Sequence, residues 1–424
     1  MPFEGRRRLV GLGAGAIQAG LFVYEAQGTD TYAPPLLVDI RADLVAALRD
    51  ARGRFRVNVA RADRVEVAEL GPVAMADPGV VADRARIVDA IAEADELTTA
   101  LPSVTAYRTA RPISPHGLVA EGLLERRRPD PLLVMCAENH RGAASLLEEA
   151  VMDDIPESDR DRVRARVRWI DSVIGKMSGV IDDPAEVASL GLATITPALG
   201  AAFLVEEFDR ILISRSDPAA GPGGLHPGMP ALREGPDLAP FEDAKLLGHN
   251  AIHAVAGFLG TLMGLHRVAG LVAVPGCMVF LRAAFIEESG RTLIARHTGA
   301  DELFTPAGYA AFADDLLARM TNPYLADTVE RAARDPRRKL GWDDRLIGLI
   351  RLGLAEGVPT PRVAMGAAAG LEIVSPGQEP ASQLGELAAS WSADVDAVEA
   401  DAVRAVLAHG IEDLRTWRDH GFAA

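Results

Sequence analysis

Cysteine is nearly missing: Cys136 and Cys277 are the only two in 424 residues, far apart and each inside an apolar run. That excludes a disulfide framework and reads as buried thiols of a reducing cytoplasm. Positive charge is scarce as well. With 44 Lys and Arg against 60 Asp and Glu, the formal net charge of −16 excludes a nucleic-acid surface, which needs clustered cations to release counterions. Long charge-free apolar runs are also lacking. Residues 255–280 come nearest, but His266 and Arg267 interrupt them and Pro275-Gly276 break them, so no membrane span is expected. Arg6-Arg7-Arg8 before an apolar stretch has the outline of a leader. Gly11, Gly13, Gly15 and Gly20, without a small-x-small cleavage site, fit a nucleotide-binding turn better.

What is present is a chain with 49% hydrophobic residues, long enough for two cores. Residues 9–12 are a short apolar run entering Gly13-Ala14-Gly15-Ala16-Ile17, after which helical spacing continues: strand, tight turn, helix. In a dinucleotide fold the first glycine permits the turn and the second lets the backbone approach the pyrophosphate. Gln18 stands where the third glycine of that fingerprint belongs. A second run, 36–38, ends in Asp39, an acid placed to bind ribose hydroxyls and repel a 2′-phosphate, which favours NAD over NADP. Arg41, two residues on, is of the type that accommodates such a phosphate, and Asp39 also suits a helix N-cap.

The alternation continues along the chain. Residues 55–60 and 64–70 predict a hairpin, 41–51 and 80–94 helices, and Thr98-Thr99 the end of a strand on the side where open α/β sheets bind ligands. Helix 117–125 and strand 132–137 follow, with Asn139 just past the strand end, and a further helix begins at 143. An amide there either donates to an oxygen gaining negative charge or serves a turn. Closely spaced runs at 167–174 and 201–213 predict an antiparallel extension of the sheet. The breakers between 217 and 240 mark a Pro/Gly-rich linker or excursion. Thereafter 241–263, 279–295, 306–320, 324–334, 343–354, 361–371 and 381–408 all show helical periodicity. The expected fold is therefore α/β plus all-α: a Rossmann-type nucleotide-binding domain over 1–216 and an all-helical domain over 241–424.

The densest chemistry lies in 242–253. On a regular helix, Glu242, Lys245, His249, Asn250 and His253 fall inside an arc of roughly 140°. Burial on such a face lowers a lysine's pKa toward that of a general base. Three readings compete. His249 and His253, at i and i+4, have zinc-pair spacing, but Asn250 replaces the glutamate of His-Glu-x-x-His and cannot act as a base. A solvated polar face is the second. The basic run Arg331, Arg334, Arg337, Arg338 and Lys339 has the same ordinary explanation.

The third reading is Lys245, Asn250 and His253 as Lys-x4-Asn-x2-His, which resembles the signature of the polyol-specific long-chain dehydrogenases, the mannitol dehydrogenase family. The likeness extends through Gly13-Ala14-Gly15, Val38-Asp39, Leu97-Thr98-Thr99-Ala100, Cys136-Ala137-Glu138-Asn139, Ile170-Asp171-Ser172-Val173, Glu287-Glu288-Ser289-Gly290, Asn322-Pro323-Tyr324-Leu325, Arg338-Lys339-Leu340 and Asp344-Arg345-Leu346. It implies a cytoplasmic, zinc-independent enzyme that uses NAD and interconverts mannitol 1-phosphate and fructose 6-phosphate, or alternatively oxidises a free polyol or a hexonate. Lys245 would be the base, Asn139 and Asn250 would hold the reacting oxygen, and His253 would orient substrate. Arg331 and Lys339 would bind the far end of the substrate, and Gly13 to Ile17, Asp39, Thr98, Thr99 and Asn139 would receive the cofactor. Gly175-Lys176 depart from the family, which often has Asp-Arg there. A nucleotide-binding sensor without turnover is the alternative of another class. No metal, nucleic-acid or membrane partner is expected, and the sequence does not fix the oligomeric state, a monomer being one of the options.

Overall fold

The computed structural model describes residues 5–207, 211–216, 226–235, 237–391 and 395–422. The chain divides into two compact units, Met1–Leu238 and Ala239–Ala424.

The first unit is built on strands β1 (Leu9–Leu12), β2 (Leu36–Val38), β3 (Phe55–Ala60), β4 (Val65–Leu70), β5 (Ala74–Ala76), β6 (Glu96–Thr99), β7 (Leu132–Cys136), β8 (Val167–Val173), β9 (Ser178–Ile181), β10 (Ala202–Glu206), β11 (Ile211–Ser214) and β12 (Leu232–Gly235). Its main sheet has eight strands in the order β12-β11-β8-β7-β6-β1-β2-β5. From β8 to β5 every pairing is parallel, giving the doubly wound order of a dinucleotide-binding fold. Of the central strands, β7 is apolar throughout, as a strand covered on both faces is; Leu132, Leu133 and Val134 are fully buried.

The expected antiparallel extension of the sheet is present in part, and one of its strands lies elsewhere. Residues 167–173 form β8, which pairs antiparallel with β11 on one edge, as expected, but parallel with β7 on the other. The reason is the helix Ala143–Asp154 between them, since a crossover helix returns the chain in the same direction. The antiparallel step comes one strand later, where Leu212 and Ile213 of β11 pair with Val173 and Ser172. Residues 202–206 leave this sheet altogether. As β10 they join the expected β3–β4 hairpin and β9 in a second, four-stranded sheet.

The segment expected as a linker also carries structure. Leu232–Gly235 is the edge strand β12, parallel to β11, while 217–225 and 236 lie outside the described residues. Gly228 N–H donates to Glu96 Oε1 (2.8 Å), a buried carboxylate that also receives Arg7 Nη1 (2.6 Å) and the Tyr32 hydroxyl (2.7 Å).

Among its described residues the second unit has helices and turns, with an isolated bridge between Arg267 and Thr328. Prolines open Pro306–Met320, Pro336–Lys339, Pro361–Val374 and Pro380–Ala389, where the missing amide hydrogen costs least. The helix expected over 324–334 is only Val329–Ala333. Ala326 takes φ 55°, which ends any earlier helix, and Thr328 then caps the new one by accepting from Arg331 N–H (3.1 Å). The helix expected over 381–408 is two, Pro380–Ala389 and Ala397–His420, the second started by Asp396.

The helix Asn250–Leu262 is the centre of this unit. Ala251, Ile252, Val255, Phe258 and Leu259 are fully buried, each large side chain contributing about 2 kcal/mol. It approaches Val329–Ala333 at van der Waals contact because Gly257 lies against Ala332: a Cβ there would meet the Ala332 carbonyl carbon at 2.6 Å. Gly257→Ala is therefore expected to cost about 1–3 kcal/mol in urea unfolding. Gly385→Ala, on an exposed helix with open space around it, should gain up to about 1 kcal/mol.

Candidate active site

In the first unit, register places the expected cofactor residues on neighbouring strand ends: Leu12 opposite both Val38 and Thr99, and Thr99 opposite Cys136. Gly13 follows β1 with φ 89°, and a Cβ there would meet the Ala100 carbonyl oxygen at 2.6 Å, so glycine is required on two counts. No atom lies within 4 Å of a Cβ built on Gly15, which leaves the outer side of the turn open. Ala14 and Ala16 are buried beneath it, and Ile17 leads into the helix.

Asp39 closes β2 and accepts from Ala14 N–H (2.8 Å) and Arg41 N–H (2.8 Å). It thereby fixes the glycine turn to the ribose-side strand end. The Arg41 guanidinium turns away to Asp43 (3.0 Å) and Asp182 (3.8 Å). Gln18 is wholly buried under Gly11, where a Cβ would come within 2.4 Å of its Nε2, and it receives the Thr98 hydroxyl (2.9 Å). The bulk that the fingerprint excludes at position 18 is thus accommodated by a glycine in the strand.

Thr98 and Thr99 are fully buried, and their hydroxyls are directed into the domain. Thr99 donates to Glu138 Oε2 (2.7 Å), which also receives the Tyr107 hydroxyl, while Glu138 Oε1 accepts from Leu101 N–H (2.9 Å). Sequence reasoning gave Glu138 no role, although a carboxylate beside Asn139 at a strand end was visible. Its neighbour Asn139 is exposed just past β7. Asp171 accepts from Ala144 N–H (2.9 Å), stabilising the start of Ala143–Asp154.

The second unit carries the Lys245 segment. The helix is not regular there: Ala244–His249 is a π-helical stretch between Ala239–Asp243 and Asn250–Leu262, which corrects the uniform 100° arc. Ser289, in a second π stretch Ala284–Gly290, donates to the Leu247 carbonyl (3.0 Å) and bonds the Tyr309 hydroxyl (2.8 Å). Gly248 leaves room for Tyr309, whose hydroxyl would lie 2.7 Å from a Cβ. A side-chain donor thus takes a carbonyl that the wider turn displaces.

Lys245 and Asn250 are half-buried and His249 is buried. Burial brings the Lys245 ammonium down to about 8; Glu242 opposes the shift and Arg345 adds to it. Arg331 and Lys339 are not among the groups acting most strongly on it. Burial also holds His249 well below the ordinary imidazole value, helped by His253, Arg319 and Lys245. The two imidazole rings lie 6.2 Å apart. Among the described residues no group of three or more His, Cys, Asp or Glu side chains is arranged to hold a metal ion.

His253 Nε2 faces Asp327 Oδ2 at 2.7 Å, and Arg331 Nε donates to Asp327 Oδ1 at 2.8 Å. Asp327 was missed by sequence reasoning; its i, i+4 spacing to Arg331 was the available signal. Lys339 is buried, with Nζ donating to the Ala332 carbonyl (2.6 Å) and 5.9 Å from the Phe258 ring centroid. Burial, with Arg345 and Arg338, lowers it to about 8 as well. Arg345 donates to Asp344 Oδ1 (2.7 Å). Lys245, Asn250, His253, Arg331 and Lys339 thus belong to one unit, and Asn139 and the glycine turn to the other.

A dinucleotide-type turn on one unit and a low-pKa lysine on the other define a nucleotide-dependent oxidoreductase. The chain matches the mannitol dehydrogenase Rossmann domain over residues 7–220 and the mannitol dehydrogenase C-terminal domain over 237–416, and it belongs to the mannitol dehydrogenase family of NAD-dependent polyol oxidoreductases. Among solved structures it is similar to mannitol 2-dehydrogenase of Pseudomonas fluorescens, in ternary complex with NAD and D-mannitol, at 18% identity and TM-score 0.70, covering 99% of this chain and 93% of that one. A D-sorbitol dehydrogenase in substrate-free form is similar at 14% identity and TM-score 0.75, covering 99% and 95%. At these identities the likeness concerns the fold.

The Glu138 junction yields a test. Glu138→Ala would leave two hydroxyls and an amide unpaired in buried surroundings, at a cost of roughly 3 kcal/mol or more. The expected outcome is a melting temperature lower by several degrees, with weakened NAD binding; an unchanged melting temperature would contradict the network.

Proposed function

We propose that the protein interconverts a polyol phosphate, mannitol 1-phosphate, and its ketose phosphate, fructose 6-phosphate, with NAD as hydride carrier. The observation that carries the reading is Lys245. An ordinary lysine is almost wholly protonated at neutral pH. One brought to about 8 exchanges its proton in the working range of an enzyme.

The residues present fit NAD: a positive-φ glycine turn open on its outer side, and Asp39 at the ribose-side strand end with Arg41 drawn off by two carboxylates. When bound, NAD supplies the hydride acceptor. Lys245 takes the proton of the secondary alcohol. Asn250 and Asn139 donate to the reacting oxygen as it gains alkoxide character. His253 orients the hydroxyls, and Arg331 and Lys339 receive the far end.

The phosphate is supported by crowding of like charge. Lys339 is depressed by burial and by Arg345, Arg338 and Arg334, with Asp335 opposing them in part, and a further anion would relieve what remains. A free polyol is the second reading, because Asp327 and Asp344 already accompany Arg331 and Arg345. A hexonate dehydrogenase and a sensor without turnover are the remaining alternatives.

Following reduced nicotinamide with mannitol 1-phosphate, fructose 6-phosphate, mannitol, fructose and hexonates, with both NAD and NADP, separates these readings. Mannitol 1-phosphate should exceed mannitol in kcat/KM. No turnover with any substrate would leave the sensor. Lys245→Ala should lower kcat by about 10³-fold with NAD affinity nearly intact. For oxidation Lys245 must be neutral, so log kcat/KM should rise with pH and level off above about 8, while ketose reduction, which needs the ammonium, should decline above it. A flat profile from pH 6 to 10 with chemistry rate-limiting would refute Lys245 as base.

A further inference from the structure

Asp327 lies outside every role assigned above, yet its surroundings are among the most constrained in the second unit. The carboxylate side chain is 1% exposed, and both oxygens face cationic or imidazole donors, Arg331 Nε at 2.8 Å and His253 Nε2 at 2.7 Å. The backbone on either side is anchored too. Val268 N–H donates to the Asp327 carbonyl (3.0 Å), Val329 N–H donates to the His266 carbonyl (3.1 Å), and Arg267 donates to the Ala326 carbonyl. Ala326, the preceding residue, is held at φ 55°, a conformation that costs a non-glycine residue on the order of 1 kcal/mol or more. A surface helix pair between Asp327 and Arg331 would need neither this turn nor the histidine.

We infer that Asp327 is a positioning residue: one carboxylate oxygen fixes neutral His253 as the Nε2–H tautomer, which leaves Nδ1 as an acceptor for a substrate hydroxyl, and the other oxygen holds Arg331. The geometry sets the proton. Against the desolvation that would raise it, hydrogen bonding and charge from His253 and then from Arg331 keep the Asp327 carboxyl at about 2. The carboxylate therefore has no proton to give, and the hydrogen in the 2.7 Å contact is carried by Nε2. Among the described residues Nδ1 of His253 has no hydrogen-bond partner. The facing groups are His249, neutral and 6.2 Å away ring to ring, with Lys245 and Arg319 beyond it, and Arg331 on the other side of the carboxylate.

In its neutral form the ring so fixed accepts from a donor at Nδ1, while Asn250, three residues earlier, supplies an amide that donates. An alcohol presents both a hydrogen and lone pairs, so the pair is matched to consecutive hydroxyls of a polyol chain. This deepens the function proposed above and rests on its reading that the Lys245 neighbourhood receives a polyol. Asp327 itself touches no reacting atom.

The test uses the full-length protein labelled with [15N]histidine, without substrate, at pH 9. Two-bond proton–nitrogen correlations should show a neutral His253, identified by its loss in His253→Gln, with a protonated Nε2 and a bare Nδ1. In Asp327→Asn that pattern should be lost or mixed, KM for the polyol substrate should rise tenfold or more, and kcat should stay within about threefold. NAD affinity should not change. A wild-type ring protonated at Nδ1, or an Asp327→Asn protein with unaltered spectrum and KM, would overturn the inference. Should Asp327→Asn not fold, the wild-type spectrum decides alone. Because that spectrum needs no substrate, the expected tautomer without turnover of any polyol would refute the functional reading while leaving the tautomer assignment intact.

Discussion

The ion pair and hydrogen bond that meet on Asp327 join three parts of the second unit: the helix Asn250–Leu262 through His253, the turn at Ala326, and the helix Val329–Ala333 through Arg331. A buried carboxylate with one partner removed is expensive, so its two contacts stand or fall together. They are possible only because Gly257 and Gly260 let the helix lie against Ala332 and Val329 without a Cβ between them. Backbone proximity therefore comes first, the carboxylate next, and the orientation of the histidine last.

The π turns follow the same order of causes. A helix of uniform pitch would leave no displaced carbonyl at Leu247 and no hollow at Gly248. The wider turn Ala244–His249 creates both, and Ser289 and Tyr309 from a second wide turn and its neighbouring helix fill them. A π turn is less favourable locally than the α-helix, so its persistence depends on those tertiary contacts. Lys245 belongs to that irregular turn, and its low pKa arises from the burial that accompanies it.

Much of this was legible in the chain because it is local. The run Gly13-Ala14-Gly15, the acid at Asp39 and the strand-then-helix alternation each depend on backbone rules acting over a few residues, and the structure places the turn and Asp39 on adjoining strand ends. Helical periodicity after residue 241 needed only the spacing of apolar side chains. What escaped depends on distant partners. Asp327 meets His253 across 74 residues, and Gln18 is tolerated only because Gly11 faces it from a neighbouring strand. That β8 runs parallel to β7 before pairing antiparallel with β11 was carried by the crossover helix before it and not by its own residues. Residues 202–206 moved to a second sheet for a similar reason, since nothing in Ala202–Glu206 itself names Asn58 and Val59 as partners.

A protein with a formal net charge of −16 nonetheless gathers Arg331, Arg334, Arg338, Lys339 and Arg345 within a short stretch of one unit. In an acidic chain such a gathering is not a by-product of composition. Part of its charge is compensated internally, by Asp327 and Asp344, whose pairs orient the guanidinium groups. Lys339 is the exception. Its nearest partner is a neutral carbonyl, and burial first, then Arg345 and Arg338, bring its pKa down to about 8. A group held in that condition gains most from an arriving anion, because the anion restores its charge and offsets the repulsion at once. A neutral hydroxyl would instead find Lys339 a serviceable donor with no large electrostatic reward. In the proposed reading Lys339 receives the far end of the substrate, and there its charge would tell a phosphate from a hydroxyl.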